Sequence, residues 1–259
     1  MGMKPWLAVI GIGEDGLTGL VPAARALVET AETVIGGARH LAMVPPGAAE
    51  RLVWARPLAR TLDAIAARRG RRVAVLASGD PLWYGVGATL SRRFPPEEMT
   101  ILPQRSAFSL AAARLAWPLA GCATLSLHGR PLDGLRLHLA PQRRLLILSE
   151  NGGTPRAVAA LLCRLGWGMS PMTVLADLGG PRESVLSAAA AQWGEREVSG
   201  LNTIALECRA GPEARAWSRL AGLPDEAFAH DGQLTKREVR AATLAALAPL
   251  PGEVLWDVG

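Results

Sequence analysis

The stretch VAVLASGDPLWYG, residues 73–85, decides the fold. Its first five residues, Val73 to Ala77, are an unbroken apolar and β-branched run, the strongest strand signal in the chain. Ser78 and Gly79 are small enough to let a ligand approach the backbone. Asp80 can accept hydrogen bonds from an amine or a ribose hydroxyl, and Pro81 fixes the turn. Taken alone, the motif reads equally well as a plain strand-to-helix turn with Asp80 as an N-cap.

On either side the same alternation repeats. Short β-branched runs at Leu7 to Ile10, Thr33 to Ile35, Arg72 to Ala77 and Met99 to Leu102 are separated by stretches of helical period at 21–31, 58–69, 86–93 and 107–116. That is the signature of α/β layering. A Pro/Gly-punctuated patch, Trp117 to Gly134, precedes a second series: strands at 144–149, 172–176, 184–186 and 201–207, helices at 155–165 and 188–194. The expected architecture is α/β in two lobes, residues 1–120 and 121–210. A Gly/Ala-rich polar linker, 211–222, leads to a further segment, 223–259. There Thr235 is the expected N-cap of a helix over 236–247, and Val254 to Val258 reads as a strand. A lone strand and helix cannot bury themselves, so this segment is expected to open a longer domain.

Near the start, GIGEDG places Gly11, Gly13 and Gly16 after a strand, in the spacing of the dinucleotide fingerprint. The context argues against it. Pro22 starts the helix too late to aim amides at a pyrophosphate. The second strand ends in Gly36 and Gly37, where a ribose-binding acid would belong. A tight glycine turn bordering a cleft is the simpler reading; an NAD(P)-dependent oxidoreductase stays open as an alternative.

Lys and Arg outnumber Asp and Glu 28 to 23, a net charge of +5 that is too small and scattered for a dedicated nucleic-acid binder and better suited to an anionic small substrate. The Arg68, Arg69, Arg71, Arg72 cluster falls where a helix ends and reads as an answer to its dipole. Cys122, Cys163 and Cys208 lie far apart with no Cys or His at metal spacing, so they are expected to be small buried residues in a reduced compartment, and no metal site is expected. The run from Trp6 to Ile10 is too short for a signal peptide core, and a cytoplasmic protein is expected.

In order along the chain, the GIG loop, SGDPxxYG and PxxSAFSLAAARLxWP (Pro103, Ser106, Ala107 and Phe108 through Trp117 and Pro118) resemble the tetrapyrrole methylases of corrin and sirohaem synthesis over roughly residues 6–208. The resemblance implies two αβα lobes, usually within a homodimer, holding S-adenosyl-L-methionine in their cleft. It makes Gly79, Asp80, Pro81, Tyr84, Gly85, Ser106 and Ala107 cofactor contacts, joined more loosely by Ser149, Leu178 and Asn202. SLHGR, Ser126 to Arg130, resembles the branch that methylates carbon 5 of a precorrin, the precorrin-7 to precorrin-8 step, and implies His128 and Arg130 as catalytic residues. The tail from Leu223 to Arg240, ending in LWDVG, resembles the opening of a companion class I methyltransferase domain that methylates carbon 15 and decarboxylates the adjacent acetate. Glu14 and Asp15 depart from the family, many of whose members have Pro and Gly there.

The sulfonium of such a cofactor is already an activated electrophile, so the protein's work is alignment and exclusion of water, worth roughly 7–11 kcal/mol. His128 is the expected proton acceptor. A precorrin carries several carboxylates, for which Arg130 and then Arg105 are the expected bidentate clamps. A non-catalytic scaffold for corrin synthesis is the remaining alternative.

Overall fold

In the computed structural model, which describes residues 5–218, 220–256 and 258, Leu7–Ile12 (β1), Thr33–Gly36 (β2), Glu50–Val53 (β3), Val73–Ser78 (β4) and Met99–Leu102 (β5) form a wholly parallel sheet in the order β3-β2-β4-β1-β5. Every residue of β1 is buried, because both faces of the sheet are covered. Ala8, Ile10 and Ile12 face Ala24 and Val28 of helix Pro22–Glu29 (α1), and Leu41 of helix Ala38–Ala42 (α2). Leu7 and Val9 face the other way, onto Ile65 of helix Ala59–Ala66 (α3), Leu90 of the short helix Gly87–Leu90 (α4), and Phe94. Period-two alternation divides one strand between two cores. Each fully buried Leu, Val or Ile contributes about 1.5–3 kcal/mol.

The second half builds a mixed sheet from Cys122–Ser126 (β6), Arg144–Leu148 (β7), Pro171–Ala176 (β8), Ser184–Ala189 (β9) and Asn202–Glu207 (β10), in the order β6-β7-β10-β8-β9. β6 and β7 are parallel; the other pairs are antiparallel. Helix Thr154–Arg164 (α6) covers one face, burying Val158, Leu161 and Leu162 with Leu145, Ile147, Ile204 and Trp167. Helix Ala107–Leu115 (α5) covers the other, with Phe108, Ala111 and Ala112 against Leu146, Leu175 and Ala205. Although α5 follows the last strand of the first sheet, its apolar face belongs to the second.

Several elements differ from expectation. Residues 188–194 are Ala-rich but not an α-helix: β9 runs on to Ala189, paired with Pro171, and a 3-10 turn Ala190–Gln192 follows. Cross-strand pairing overrides helix propensity there. β6 lies inside the patch expected to be irregular, β3 and α2 were not anticipated, and α4 is a single turn. The arginine cluster pairs mainly with acids rather than with a helix end: Arg68 with Glu50 at 2.5 Å and Arg69 with Glu98 at 2.8 Å, while one Arg68 nitrogen does donate to the Ala64 carbonyl. Of the cysteines, only Cys208 is buried; Cys163 is exposed, and all three are free.

Beyond β10, Gly211 N–H donates to the Gly166 carbonyl, docking the start of the connecting segment on the second half. Helix Arg237–Leu247 (α7) follows, with Lys236 at its N-cap position and no side-chain cap, so Thr235 does not cap it. Residues 254–256 and 258 are not in a strand; a strand needs a paired neighbour, and none of the described strands offers one. Asp257 and Gly259 of the LWDVG motif lie outside the described residues.

Candidate functional site

A cavity of about 420 Å³ opens where the C-terminal ends of β1 and β4 face the second sheet. The chain leaves β1 toward β2 on one side and leaves β4 toward β5 on the other, the topological switch at which α/β sheets bind ligands. Three connections meet at the floor. Gly79 N–H donates to the Ile12 carbonyl, and the Gly79 carbonyl accepts from Gln104 N–H, both at 3.1 Å. Gly79 has φ +56°, and a β-carbon on it would lie 3.0 Å from the Ser106 Cα. Only glycine permits both this conformation and this approach.

The β4 loop is shaped from within. Asp80 Oδ1 accepts from Leu82 N–H at 2.9 Å, an Asx turn rather than a helix cap. Pro81 is buried, and its carbonyl oxygen would lie 2.5 Å from a β-carbon on Gly85. Pro81 and Gly85 therefore fold the loop and do not line the cavity. Tyr84, at φ +58°, reaches across the cleft and donates its hydroxyl to the Thr124 carbonyl of β6 at 3.1 Å. Such left-handed conformations at bulky residues cost about 1–3 kcal/mol and collect at functional sites.

The other walls are as firmly set. Ser106 caps α5, its Oγ accepting from Ser109 N–H at 3.1 Å. From the second sheet, Ser149 Oγ donates to Asn202 Oδ1 at 2.5 Å, and Asn202 Nδ2 donates to the Ser199 carbonyl at 2.8 Å, which fixes the amide's orientation. Leu178 follows buried Asp177, which has φ +47° and accepts from Ser199 Oγ at 3.0 Å. Glu183 holds this loop onto α5 through Arg114, and that guanidinium keeps the Glu183 carboxyl below its ordinary range.

Of the ten expected cofactor contacts, eight line this one cavity: Gly79, Asp80, Tyr84, Ser106, Ala107, Ser149, Leu178 and Asn202. His128 lines it from an exposed position after β6. Arg130 does not; its guanidinium stacks over the Tyr84 ring, 5.1 Å from the centroid. Arg105 lines the cavity but is paired with Asp15 at 2.8 Å.

Sequence reasoning missed Arg39, which lines the cavity, and His40 beneath it. Burial pulls the His40 imidazole down to about 4, with neighbouring Arg39 adding to the effect. Burial also lowers Arg39, opposed by the field of Asp177. The discoverable signal was their position just past the end of β2, a parallel strand whose C-terminal end faces the same crevice.

The glycine loop offers no pyrophosphate cradle. A β-carbon on Gly19 would lie 2.1 Å from the Asp15 carboxylate, so negative charge sits against the 3-10 turn that precedes α1. Gly13 and Glu14 of the loop face the cavity. Among the described residues no cluster of His, Cys, Asp or Glu gathers as a metal centre would require, and no helix is long and apolar enough to cross a membrane.

A model of the tetrapyrrole (corrin/porphyrin) methylases matches residues 7–193, the segment that builds both sheets up to the turn after β9. The chain belongs to that family. A second model, of a precorrin methyltransferase domain, matches residues 226–259. A decarboxylating precorrin-6Y C(5,15)-methyltransferase of a Sinorhizobium species is 50% identical over 99% of this chain. The chain spans 62% of that relative's length. A cobalt-precorrin-7 C(5)-methyltransferase of Salmonella typhimurium is 33% identical, covering 69% of this chain and 88% of the relative. Among solved structures, a uroporphyrin-III C-methyltransferase of Thermus thermophilus in complex with S-adenosyl homocysteine superposes with a TM-score of 0.61 at 23% identity, over 78% of this chain and 91% of that one. That likeness is one of fold: the two-lobed tetrapyrrole methylase architecture.

Proposed function

We propose that this chain is the S-adenosyl-L-methionine-dependent C-methyltransferase that methylates carbon 5 of a precorrin in cobalamin biosynthesis, the precorrin-7 to precorrin-8 step. The observation that carries the reading is the single cavity that gathers eight motif residues from both halves of the chain. Its volume of about 420 Å³ suits a nucleoside-sized ligand, within the roughly 300–1,000 Å³ of small-molecule sites. Apolar Phe108, Leu148, Leu175 and Leu178 can sandwich a flat base, and Asp80, Ser106 and Asn202 offer a few fixed polar groups to orient the rest.

When bound, the cofactor would supply a methyl group on a positively charged sulfur to a ring carbon of the electron-rich macrocycle, leaving as S-adenosyl-homocysteine. The chain's own residues align and shield. Gly79 lets the β4 loop lie close under the ligand, and Tyr84 bridges the halves so that they close on it from two sides. His128, at the rim, takes the proton released when the macrocycle recovers its conjugation.

We take the lobes as 1–120 and 121–210, with 211–222 as linker. The residues from 223 on are the beginning of a carbon-15 methyltransferase and decarboxylase domain, to which longer relatives are fused; the match of 226–259 to a precorrin methyltransferase domain supports this. A homodimer in the cytoplasm completes the reading; three free cysteines fit a reducing compartment.

Incubation with precorrin-7 and methyl-labelled cofactor tests it. One labelled methyl should appear on the macrocycle without loss of carbon dioxide, and His128→Ala should slow this by about 10²–10⁴-fold. A macrocycle recovered without label would leave only a scaffold.

A further inference from the structure

Both arginines of the cavity wall are held by neighbouring acids of the β1 loop. Asp15 takes Arg105, whose side chain remains 57% exposed, and Glu14, only 10% exposed, pairs with Arg39. Arg39 is braced from behind. One of its terminal nitrogens donates to Ser78 Oγ at 2.8 Å and lies 2.9 Å from His40 Nε2, while Ser78 Oγ lies 3.0 Å from that same ring nitrogen. For Nε2 to accept, the His40 ring must be neutral, and its burial favours the neutral ring. Ser78 and His40 thus orient the guanidinium without neutralising it, and Glu14 supplies the carboxylate in direct contact with it. Glu14 itself stands between Gly13 and Gly16 in the loop, lines the cavity, and packs its Cβ against Gly180 of the facing half.

We propose that Arg39 anchors one carboxylate of the polycarboxylate substrate, and that Glu14 is a built-in place-holder that yields the guanidinium when the substrate enters. The proposal rests on the methyltransferase reading and deepens it by naming the anchor. A substrate carboxylate and the Glu14 carboxylate present the same two-oxygen fork, so one replaces the other with no charge left unpaired at Arg39. A guanidinium already fixed by Ser78 and His40 loses little further freedom on binding. Arg130 is stacked on Tyr84 outside the wall, and Arg105 is the more exposed of the two wall arginines; neither is braced by a neutral pair in this way. The place-holder also accounts for the Glu that stands here where many family members have Pro: an unoccupied site does not leave a half-buried cation alone.

The test is fluorescence titration of the full chain, saturated with S-adenosyl-homocysteine, using uroporphyrin, a stable macrocycle with eight carboxylates. Arg39→Gln should bind it at least about tenfold more weakly, with Arg39→Lys between Arg39→Gln and the parent. Glu14→Gln, which removes the competitor, should bind it more tightly than the parent, and this gain should vanish in the Glu14→Gln, Arg39→Gln double variant. Far-UV circular dichroism and a single cooperative urea transition should be retained in every variant, which reports an intact fold. Arg39→Gln binding the porphyrin as the parent does would overturn the proposal. So would Glu14→Gln weakening binding as Arg39→Gln does, or a parent chain that binds S-adenosyl-homocysteine but no porphyrin. A parent chain that fails to bind S-adenosyl-homocysteine would instead strike at the methyltransferase reading itself.

Discussion

His40 sits under the cavity wall with its imidazole held neutral, and that has a cost in acid. Its folded value of about 4 lies below the ordinary 6.5, so the unfolded chain binds the extra proton first as pH falls. The associated stability is whole above pH 6.5 and is lost as pH drops toward 4. Between pH 7 and pH 4.5 the parent should lose on the order of 2–3 kcal/mol more than His40→Gln, read as urea unfolding midpoints. Equal losses in the two proteins would place the charge change elsewhere. At this scale the sequence was only partly legible. Gly79 and Asp80 stand in a motif whose chemistry can be read directly, whereas Arg39 and His40 follow Gly36 and Gly37, which on paper say only that no ribose-binding acid is present. Their importance comes from Glu14 and Ser78, 25 and 39 positions away from Arg39, and such proximity has no periodic signature.

Among the elements, α5 does two jobs. Its N-terminus shapes the cavity floor, and its apolar face packs on the second sheet although the helix follows the last strand of the first. Ser106 caps it, so Ser106→Ala should cost about 1 kcal/mol in global stability and weaken cofactor binding as the first turn frays. Thermal unfolding with and without S-adenosyl-homocysteine separates the two effects, and no change in either would remove Ser106 from the account. Elements with strong local signals were legible: β1, β4 and α6 lie within two residues of their expected bounds. Those defined by their partners were not. β9 is made a strand at Ala188 and Ala189 by β8, and β3 is an edge strand with three of its four residues exposed, hence without an apolar run.

For the molecule as a whole, the two halves matter less as separate folds than as the two walls of one site. Tyr84 from the first meets Thr124 of the second, and Glu14 meets Gly180, so the cavity exists only when both are assembled. The α/β division was visible in the alternation of strands and helices. The cleft was not, because a residue's side of an interface leaves no mark on its own segment; resemblance to a family supplied it. The most direct measurement is calorimetric titration with S-adenosyl-homocysteine, run beside NADH. One S-adenosyl-homocysteine should bind per chain with no heat from NADH, and Asp80→Ala should abolish the binding. Binding of NADH in its place, or binding of S-adenosyl-homocysteine untouched by Asp80→Ala, would contradict the account.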